Sequence, residues 1–167
     1  MAEVEIGIGK TARRAYRLDD VAIVPSRRTR DPEDVDISCE IDAYHLEVPV
    51  LEAPSDSVTS PATAIELGRL GAAGVLHLEG LWTRYEFPEK IFEEIAELPA
   101  AKATRRLQEI YAEPVRPDLI GPRITQVKDA GVSCAVAITP HRTLQLADAV
   151  LEGEPDLLLI QATIVSP

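Results

Sequence analysis

With 167 residues, 46% of them apolar and 27% charged, the chain is long enough for one domain with a real core and is globular in composition rather than disordered. Its formal net charge of −11 disfavours nonspecific binding to nucleic acid or to an anionic membrane. No apolar run approaches the ~20 residues of a membrane span, and no apolar signal-peptide segment follows Met1.

The two cysteines, Cys39 and Cys134, fit neither a metal-binding pattern nor a disulfide framework. We therefore expect two reduced thiols in a cytoplasmic protein that has no metal site.

The first distinctive segment, GIGKTARR (7–14), has the glycine–lysine–threonine order of a phosphate-binding loop. The full signature needs a glycine five positions before Gly9, where the chain has Val4. No helical periodicity follows over 16–25, although such a loop opens a helix. We interpret the segment as an N-terminal arm, whose arginines could grip phosphate or a neighbouring subunit, although a solvated basic segment is favoured. These arginines are Arg13, Arg14, Arg17, Arg27, Arg28 and Arg30.

From Val48 onward, apolar runs alternate with amphipathic segments. Runs that are apolar on every residue need cover on both faces of a sheet, so the alternation predicts a parallel α/β sheet. An open doubly wound sheet and a (β/α)₈ barrel both fit this pattern. The predicted strands are 48–53, 73–78, 133–139 and 156–161, and the predicted helices are 60–71, 87–98, 101–112 and 141–153, with a further helix ending at 128–131.

Local signals fix several helix ends. Ser60 is a good N-cap residue with Pro61 at the first helical position, and Gly71 suits the residue after the same helix. Gly153 is expected to close the helix over 141–153. Tyr111 is expected on the apolar side of the helix over 101–112.

Four stretches, taken in order, match motifs of one enzyme family. LDDVAIVPSRRT (18–29) resembles FDDVLLVP, and APSDSVTSPATAIELGRLGAAGVLH (53–77) resembles SPMDTVTE, a small helix and GGIGVIH. AGVSCAVAITP (130–140) and EPDLLLIQ (154–161) resemble the third and fourth strand regions, the latter usually VDVVVLDSS. The chain thereby resembles the IMP dehydrogenase and GMP reductase family, and its arm is similar to a short branch that lacks the CBS domain pair. The interval 98–132 is too short for an inserted domain of ~50 residues.

The resemblance implies a TIM (β/α)₈ barrel of which this chain holds about the first four βα units. Residues 1–47 would form an N-terminal arm and β segment, and 48–167 the first half of the barrel without a CBS insertion. A barrel of ~250 residues needs about four more units, and IVSP (164–167) follows a strand with no covering helix, so we expect the chain to be half of something larger.

The implied activity is the NAD-dependent oxidation of IMP to XMP in GMP biosynthesis, by a homotetramer that binds neither nucleic acid nor membranes. A monovalent cation would be bound by the missing half. The family forms a covalent purine intermediate on a cysteine after the sixth strand, which would lie beyond Pro167. We therefore expect no catalytic residue in this fragment and no activity of the fragment alone. Cys134 starts an apolar strand, where burial raises a thiol pKa and keeps it inert.

The resemblance assigns the substrate site to the loop after the first barrel strand. Ala53 and Ser55 match the family residues that contact the IMP ribose and base, and both depart from the family pattern. Asp56 keeps the family aspartate, and Ser57 keeps a hydroxyl. Capping of the following helix is an equally weighted interpretation of Asp56.

The resemblance assigns cofactor contacts to the third and fourth strand ends. Thr139 matches a threonine near the dinucleotide's adenosine, and His141 lies one position beyond the family's stacking histidine. Gln161 replaces the aspartate near the nicotinamide ribose, and Thr163 matches a serine. His77 matches a family histidine, although a hydrogen-bonded structural histidine is the favoured interpretation.

Two alternatives stay open. A GMP reductase has the same fold and runs hydride transfer in the other direction. A non-catalytic paralogue or half-barrel would bind a nucleotide or a partner subunit only, as the departures at Ala53, Ser55 and Gln161 suggest.

Overall fold

A computed structural model describes residues 3–13, 16–24 and 31–161, without the side chain of Leu18. The chain divides into two compact units, residues 1–36 and 37–167, and each is considered by itself. Arg14, Arg27, Arg28, Arg30 and Thr163 lie outside the described residues.

The first unit contains an antiparallel hairpin of β1 (Glu3–Gly7) and β2 (Lys10–Arg13). Gly9 lies in the turn with a φ of +67°, in the left-handed region that glycine adopts readily. Lys10 therefore opens a strand and not a helix, so the segment lacks the geometry of a phosphate-binding loop. Two 3₁₀ turns follow, Leu18–Asp20 and Pro32–Asp34.

The second unit contains a short hairpin and a parallel sheet with its crossover helices. Its helices are α1 (Pro61–Arg69), α2 (Glu89–Glu97), α3 (Ala100–Ala112), α4 (Ile120–Lys128) and α5 (Thr143–Gly153). Its strands are β3 (Cys39–Ile41), β4 (Tyr44–Leu46), β5 (Leu51–Glu52), β6 (Ala73–His77), β7 (Ala135–Ile138) and β8 (Leu157–Ile160). β3 and β4 pair in antiparallel fashion, whereas β5 to β8 form a four-stranded parallel sheet in chain order. The predicted parallel α/β sheet is confirmed, although the first strand is shorter than its apolar run. Within the described ranges, no helix has the length and apolar character needed to cross a bilayer.

The ends of α1 are set by local sequence, as predicted. The Ser60 hydroxyl accepts a hydrogen bond from the Thr63 N–H at 3.0 Å, and the Thr63 hydroxyl accepts one from the Ser60 N–H at 2.7 Å. This reciprocal pair is a capping box, followed by Pro61 at the first helical position. Gly71 lies just beyond the helix with a φ of +82°.

Helix α5 ends at Gly153, as predicted. Gly153 is the last helical residue, and the left-handed residue is Glu154, with a φ of 51°. The Glu154 carbonyl accepts a hydrogen bond from the Lys128 amine at 2.6 Å. Gly153 also packs closely against α4: a Cβ there would lie 2.5 Å from the Cδ1 atom at the end of the Ile124 side chain.

Helices α1, α4 and α5 cover the same face of the sheet and form its main core. α4 packs against both α1 and α5, and its residues Ile120, Ile124 and Val127 are buried against Val136 and Ile138 of β7. A doubly wound sheet reverses its strand order and carries helices on both faces. The sequential order and the one-sided helix layer therefore match a singly wound sheet.

The opposite face carries a smaller cluster. Val75, Ala135 and Ala137 are buried there, with Leu157 and Leu159 packed against them. β8 is less well covered on its helix-side face, where Leu158 is 43% exposed and Ile160 is 56% exposed. The expectation of apolar cover on both faces thus holds for β7 and not for β8.

Candidate functional site

A cleft opens where the four parallel strands end. The residues after β5, β7 and β8 meet the last residue of β6 around a space of about 280 Å³. Carboxyl ends of neighbouring parallel strands lie at one edge of a sheet, which is where open α/β folds bind ligands. The lining residues are Ala53, Pro54, His77, Ala137, Ile138, Thr139 and Gln161.

The cleft brings together three residues that the sequence analysis assigned to the site. Ala53, Thr139 and Gln161 line it, although they are separated by up to about a hundred residues in sequence, and His77 lines it too. Their polar side chains offer an imidazole, a hydroxyl and an amide, which can all donate and accept hydrogen bonds. Of the described residues that line the cleft, none is a lysine or an arginine. The described lining therefore offers neutral hydrogen-bonding side chains and apolar surface.

Hydrogen bonds to the main chain hold the β7 and β8 ends of the cleft in place. The Thr139 N–H donates to the Glu79 carboxylate at 2.6 Å, and the Thr139 carbonyl accepts from the Thr143 hydroxyl at 3.0 Å. The Gln161 N–H donates to the Ile138 carbonyl at 3.0 Å. The main chain is thus fixed where the Thr139 and Gln161 side chains emerge.

The loop after β5 folds back on itself. The Thr59 hydroxyl donates to the Ala53 carbonyl at 2.8 Å, and the Ser55 and Ser57 hydroxyls lie 2.9 Å apart. Within the described part of the chain, Ser55, Asp56 and Ser57 lie outside the cleft lining. The loop therefore supplies the cleft with Ala53 and Pro54, and its hydroxyls bond locally.

Asp56 is not the cap of α1, because Ser60 has that role. One Asp56 carboxylate oxygen, Oδ2, accepts hydrogen bonds from the Leu81 N–H at 2.9 Å and from the Tyr111 hydroxyl at 2.6 Å. Burial and the hydrogen bond to this carboxylate raise the pKa of Tyr111 above the ordinary tyrosine value. The capping interpretation is wrong, and Asp56 instead joins the loop after β5 to two other elements.

The remaining predicted residues lie away from the cleft. His141 is exposed in the turn that precedes α5 and is outside the cleft lining. Thr163 falls outside the described residues.

Neither cysteine contributes to the cleft. Cys134 precedes β7, at the end of that strand opposite to the cleft, and is 0% exposed. Burial, reinforced by the nearby Asp156 charge, raises the pKa of the Cys134 thiol to about 12. Cys39 lies on β3 and is half-buried. The expectation of an inert thiol at Cys134 agrees with this geometry.

Sequence reasoning missed the roles of Glu79 and Tyr111. Glu79 lies two residues after the end of β6, and its position near a strand end was the available signal. Tyr111 looked like an apolar-face residue of α3, and no local pattern indicates that its hydroxyl reaches Asp56.

The fold and the cleft define an α/β domain of the class that binds small molecules at the carboxyl edge of a parallel sheet. The family model described as "IMP dehydrogenase / GMP reductase domain" matches residues 15–163. The chain belongs to this family.

Similar proteins agree with the family assignment. Uncharacterized oxidoreductases from Mycobacterium tuberculosis and Mycolicibacterium smegmatis are 46% and 45% identical to the chain over 168 residues. Each match covers 98% of this chain and 45% of the relative, so the chain spans less than half the length of these relatives. An inosine-5'-monophosphate dehydrogenase from Methanocaldococcus jannaschii is 41% identical over 66 residues, which are 40% of this chain and 13% of that protein.

A solved structure is similar over the same extent. The crystal structure of an IMP dehydrogenase/GMP reductase-like protein from Corynebacterium glutamicum superposes with a TM-score of 0.77 at 44% sequence identity. The superposition covers 98% of this chain and 45% of that protein.

Proposed function

We propose that the chain is the amino-terminal part of an IMP-dehydrogenase-like oxidoreductase that converts IMP, NAD⁺ and water into XMP and NADH. The observation that carries this proposal is the cleft, where Ala53, His77, Thr139 and Gln161 meet at the carboxyl ends of parallel strands. Family membership supplies the purine nucleotide as the ligand class.

We propose that residues 48–167 form the first half of a TIM barrel. Its strands follow one another in chain order, and α1, α4 and α5 lie on one face, as in a barrel that is wound in one direction. Leu158 and Ile160 are exposed on the helix side of β8 at one edge, and Leu51 is exposed on the opposite face of β5 at the other edge, and further βα units would cover these residues.

The residues present fit part of a nucleotide. At about 280 Å³ the cleft is at the small end of ligand sites, which measure roughly 300–1,000 Å³, so it suits one ring and not a whole dinucleotide. Thr139 and Gln161 would hold the cofactor's polar groups by hydrogen bonds, whereas His141 lies too far outside the lining set to be assigned. A bound nicotinamide would supply the hydride acceptor. Gln161 gives an amide where the family has a carboxylate, so it would bind ribose hydroxyls without adding negative charge.

The catalytic and phosphate-binding groups that the cleft lacks would lie in the rest of the proposed barrel. Cys134 is buried at the wrong end of β7, so the attacking thiolate would come from a loop after a sixth strand. The phosphate would be bound by loops after the seventh and eighth strands, in keeping with the absence of cationic groups among the described cleft residues. A cytoplasmic homotetramer and a monovalent cation bound by the second half belong to the same proposal.

The test uses protein expressed from the complete reading frame that encodes this chain. We expect NADH to form with IMP and NAD⁺, and light scattering to give the mass of a tetramer. Consumption of NADPH with GMP and no reaction with IMP would assign the chain to a GMP reductase instead. Binding of IMP without turnover in either direction would identify a non-catalytic paralogue, and no binding of either nucleotide would refute the proposal.

A pair of glutamine variants tests the cleft itself. Gln161→Ala removes an amide that lines the cleft, and we expect the KM for NAD⁺ to rise about fivefold, the usual effect of losing one neutral hydrogen bond. Gln126→Ala is the matched control, because Gln126 is exposed on α4, away from the cleft. Equal KM values for the two variants would remove Gln161 from the cofactor site.

A further inference from the structure

Two loops that flank the cleft are joined through one carboxylate. Asp56, in the loop after β5, accepts hydrogen bonds through Oδ2 from the Leu81 N–H, in the loop after β6, and from the Tyr111 hydroxyl of α3. Hydrogen bonds to an ionised carboxylate are about twice as strong as bonds between neutral groups. Asp56 therefore links the segment that carries Ala53 and Pro54 to the segment that follows His77.

Gly80 packs closely against the Asp56 carboxylate. A Cβ on Gly80 would overlap the Asp56 carboxylate, so only glycine permits this approach. The second carboxylate oxygen, Oδ1, is buried and has no hydrogen-bond partner among the described residues. Among the described residues, the hydrogen bonds that orient the Asp56 carboxylate therefore come from Leu81 and Tyr111.

The end of α3 is itself held against the loop after β6. The Tyr85 hydroxyl donates to the Ile110 carbonyl at 2.9 Å, and the Arg116 N–H donates to the Thr83 carbonyl at 2.8 Å. The α3-side partners of these two bonds, Ile110 and Arg116, lie before and after Tyr111 in the sequence. Tyr111 thus approaches Asp56 from an anchored helix end.

Arg84 adds a further connection at the same place. Its guanidinium carbon lies 5.7 Å from the centre of the Tyr111 ring, and its side chain donates to the carbonyls of Glu79 and Glu113. The ring of Tyr111 is thereby held from one side by a cation while its hydroxyl holds Asp56.

We propose that Tyr111 is a positioning residue for the candidate nucleotide site. Its hydroxyl orients Asp56, Asp56 fixes the two loops, and the loops place Ala53 and Pro54 against the purine nucleotide. The α2–α3 segment thereby controls the shape of a cleft that it does not line. The nucleotide part of this inference rests on the proposed function, whereas the coupling of α3 to the loops does not.

The test compares two tyrosine-to-phenylalanine variants of protein from the complete reading frame. Tyr111→Phe removes only the hydroxyl that bonds Asp56 and keeps the ring beside Arg84. Tyr44→Phe is the matched control, because the Tyr44 hydroxyl bonds a different carboxylate, Asp156, which precedes β8 at the end of the sheet opposite to the cleft. Tyr111 is 40% exposed, so its variant should remain folded.

For Tyr111→Phe we expect the KM for IMP to rise about tenfold, the size of one lost hydrogen bond to a charged group, while kcat stays within about twofold. We also expect faster hydrogen exchange at the Leu81 amide. Tyr44→Phe should leave the KM and the Leu81 exchange rate near their wild-type values. A merely structural role for Tyr111 would lower the melting temperature without separating KM from kcat.

The outcomes are distinguishable from failure of the proposed function. Unchanged KM together with unchanged Leu81 exchange in Tyr111→Phe overturns the inference. If the wild-type protein binds no purine nucleotide, the proposed function fails, and the Leu81 exchange rate then tests the coupling by itself. Faster exchange that occurs only in Tyr111→Phe supports coupling of α3 to the loops. Unchanged exchange in Tyr111→Phe refutes that coupling.

Discussion

Gly74 of β6 lies directly against Ala64 of α1. A Cβ on Gly74 would stand 2.5 Å from the Ala64 Cα atom, and Ala64 is only 1% exposed. Small residues on both elements let the helix backbone come close to the strand, which seats α1 closely on the sheet.

Replacement of Gly74 by alanine should therefore be costly. The added methyl group meets the backbone of α1, which cannot move aside like the tip of a flexible side chain, so we expect Gly74→Ala to lower the free energy of unfolding by about 2–3 kcal/mol. Gly121→Ala on α4 is the matched control, because its added Cβ would have no atom within 4 Å apart from its chain neighbours and the backbone of its own helix. Its effect should stay below about 1 kcal/mol. Urea unfolding measures both, and similar values for the two variants would contradict the close-packing explanation.

The Cys134 thiol should be unreactive in the native protein. Its full burial and a pKa raised to about 12 leave almost no exposed thiolate near neutral pH. In a Cys39→Ser background, we expect a thiol reagent at about pH 8 to label Cys134 only at the rate of unfolding. Adding urea should bring rapid labelling. Fast labelling of the folded Cys39→Ser variant would show that Cys134 is accessible.

The stability contributed by the Tyr111 hydroxyl should depend on pH at the alkaline end. Because the pKa of Tyr111 is raised on folding, the native state holds this proton more tightly than the unfolded state does. The contribution is therefore complete below about pH 10, the ordinary tyrosine pKa, and is lost as the pH rises through the folded value.

The measurement is the difference in unfolding free energy between wild type and Tyr111→Phe from about pH 8 upward. We expect a constant difference to about pH 10 and a shrinking one above it. Burial also raises the pKa values of Tyr44 and Tyr85, but both residues are present in both proteins and cancel. A difference that grows with pH would mean that the sign of the Tyr111 effect is wrong.

The proposed barrel makes β8 an internal strand. Ile160 is 56% exposed on the face that the neighbouring strand buries beneath its helices. In protein from the complete reading frame, Ile160→Asp should reduce stability by about 3 kcal/mol or more, because a closed barrel would bury the new charge.

Leu144→Asp is the comparison for this prediction, since Leu144 is 94% exposed on α5 and its replacement should change stability by less than about 0.5 kcal/mol. Thermal unfolding compares the two variants. An equally small effect of Ile160→Asp would show that no further unit covers β8.

The sequence alone determined most of the local structure. Ser60, Pro61 and Gly71 fixed the ends of α1, because capping and left-handed backbone conformations depend on a few neighbouring residues. Apolar runs predicted a parallel sheet, and collinear motifs identified the family whose model matches residues 15–163. The same motifs placed Ala53, Thr139 and Gln161 in one cleft.

Only the tertiary structure decided the choice between a singly and a doubly wound sheet. The periodicity of a helix shows which of its own sides is apolar, but it does not show which face of the sheet the helix covers. The tertiary structure also reassigned Asp56 from a helix cap to a partner of Tyr111, and showed that Gly153 lies against Ile124 of α4. Each of these facts joins segments far apart in the chain. The energies of these contacts depend on which surfaces meet after the helices pack. Helix caps and apolar periodicity depend only on residues within a few turns of each other in the chain.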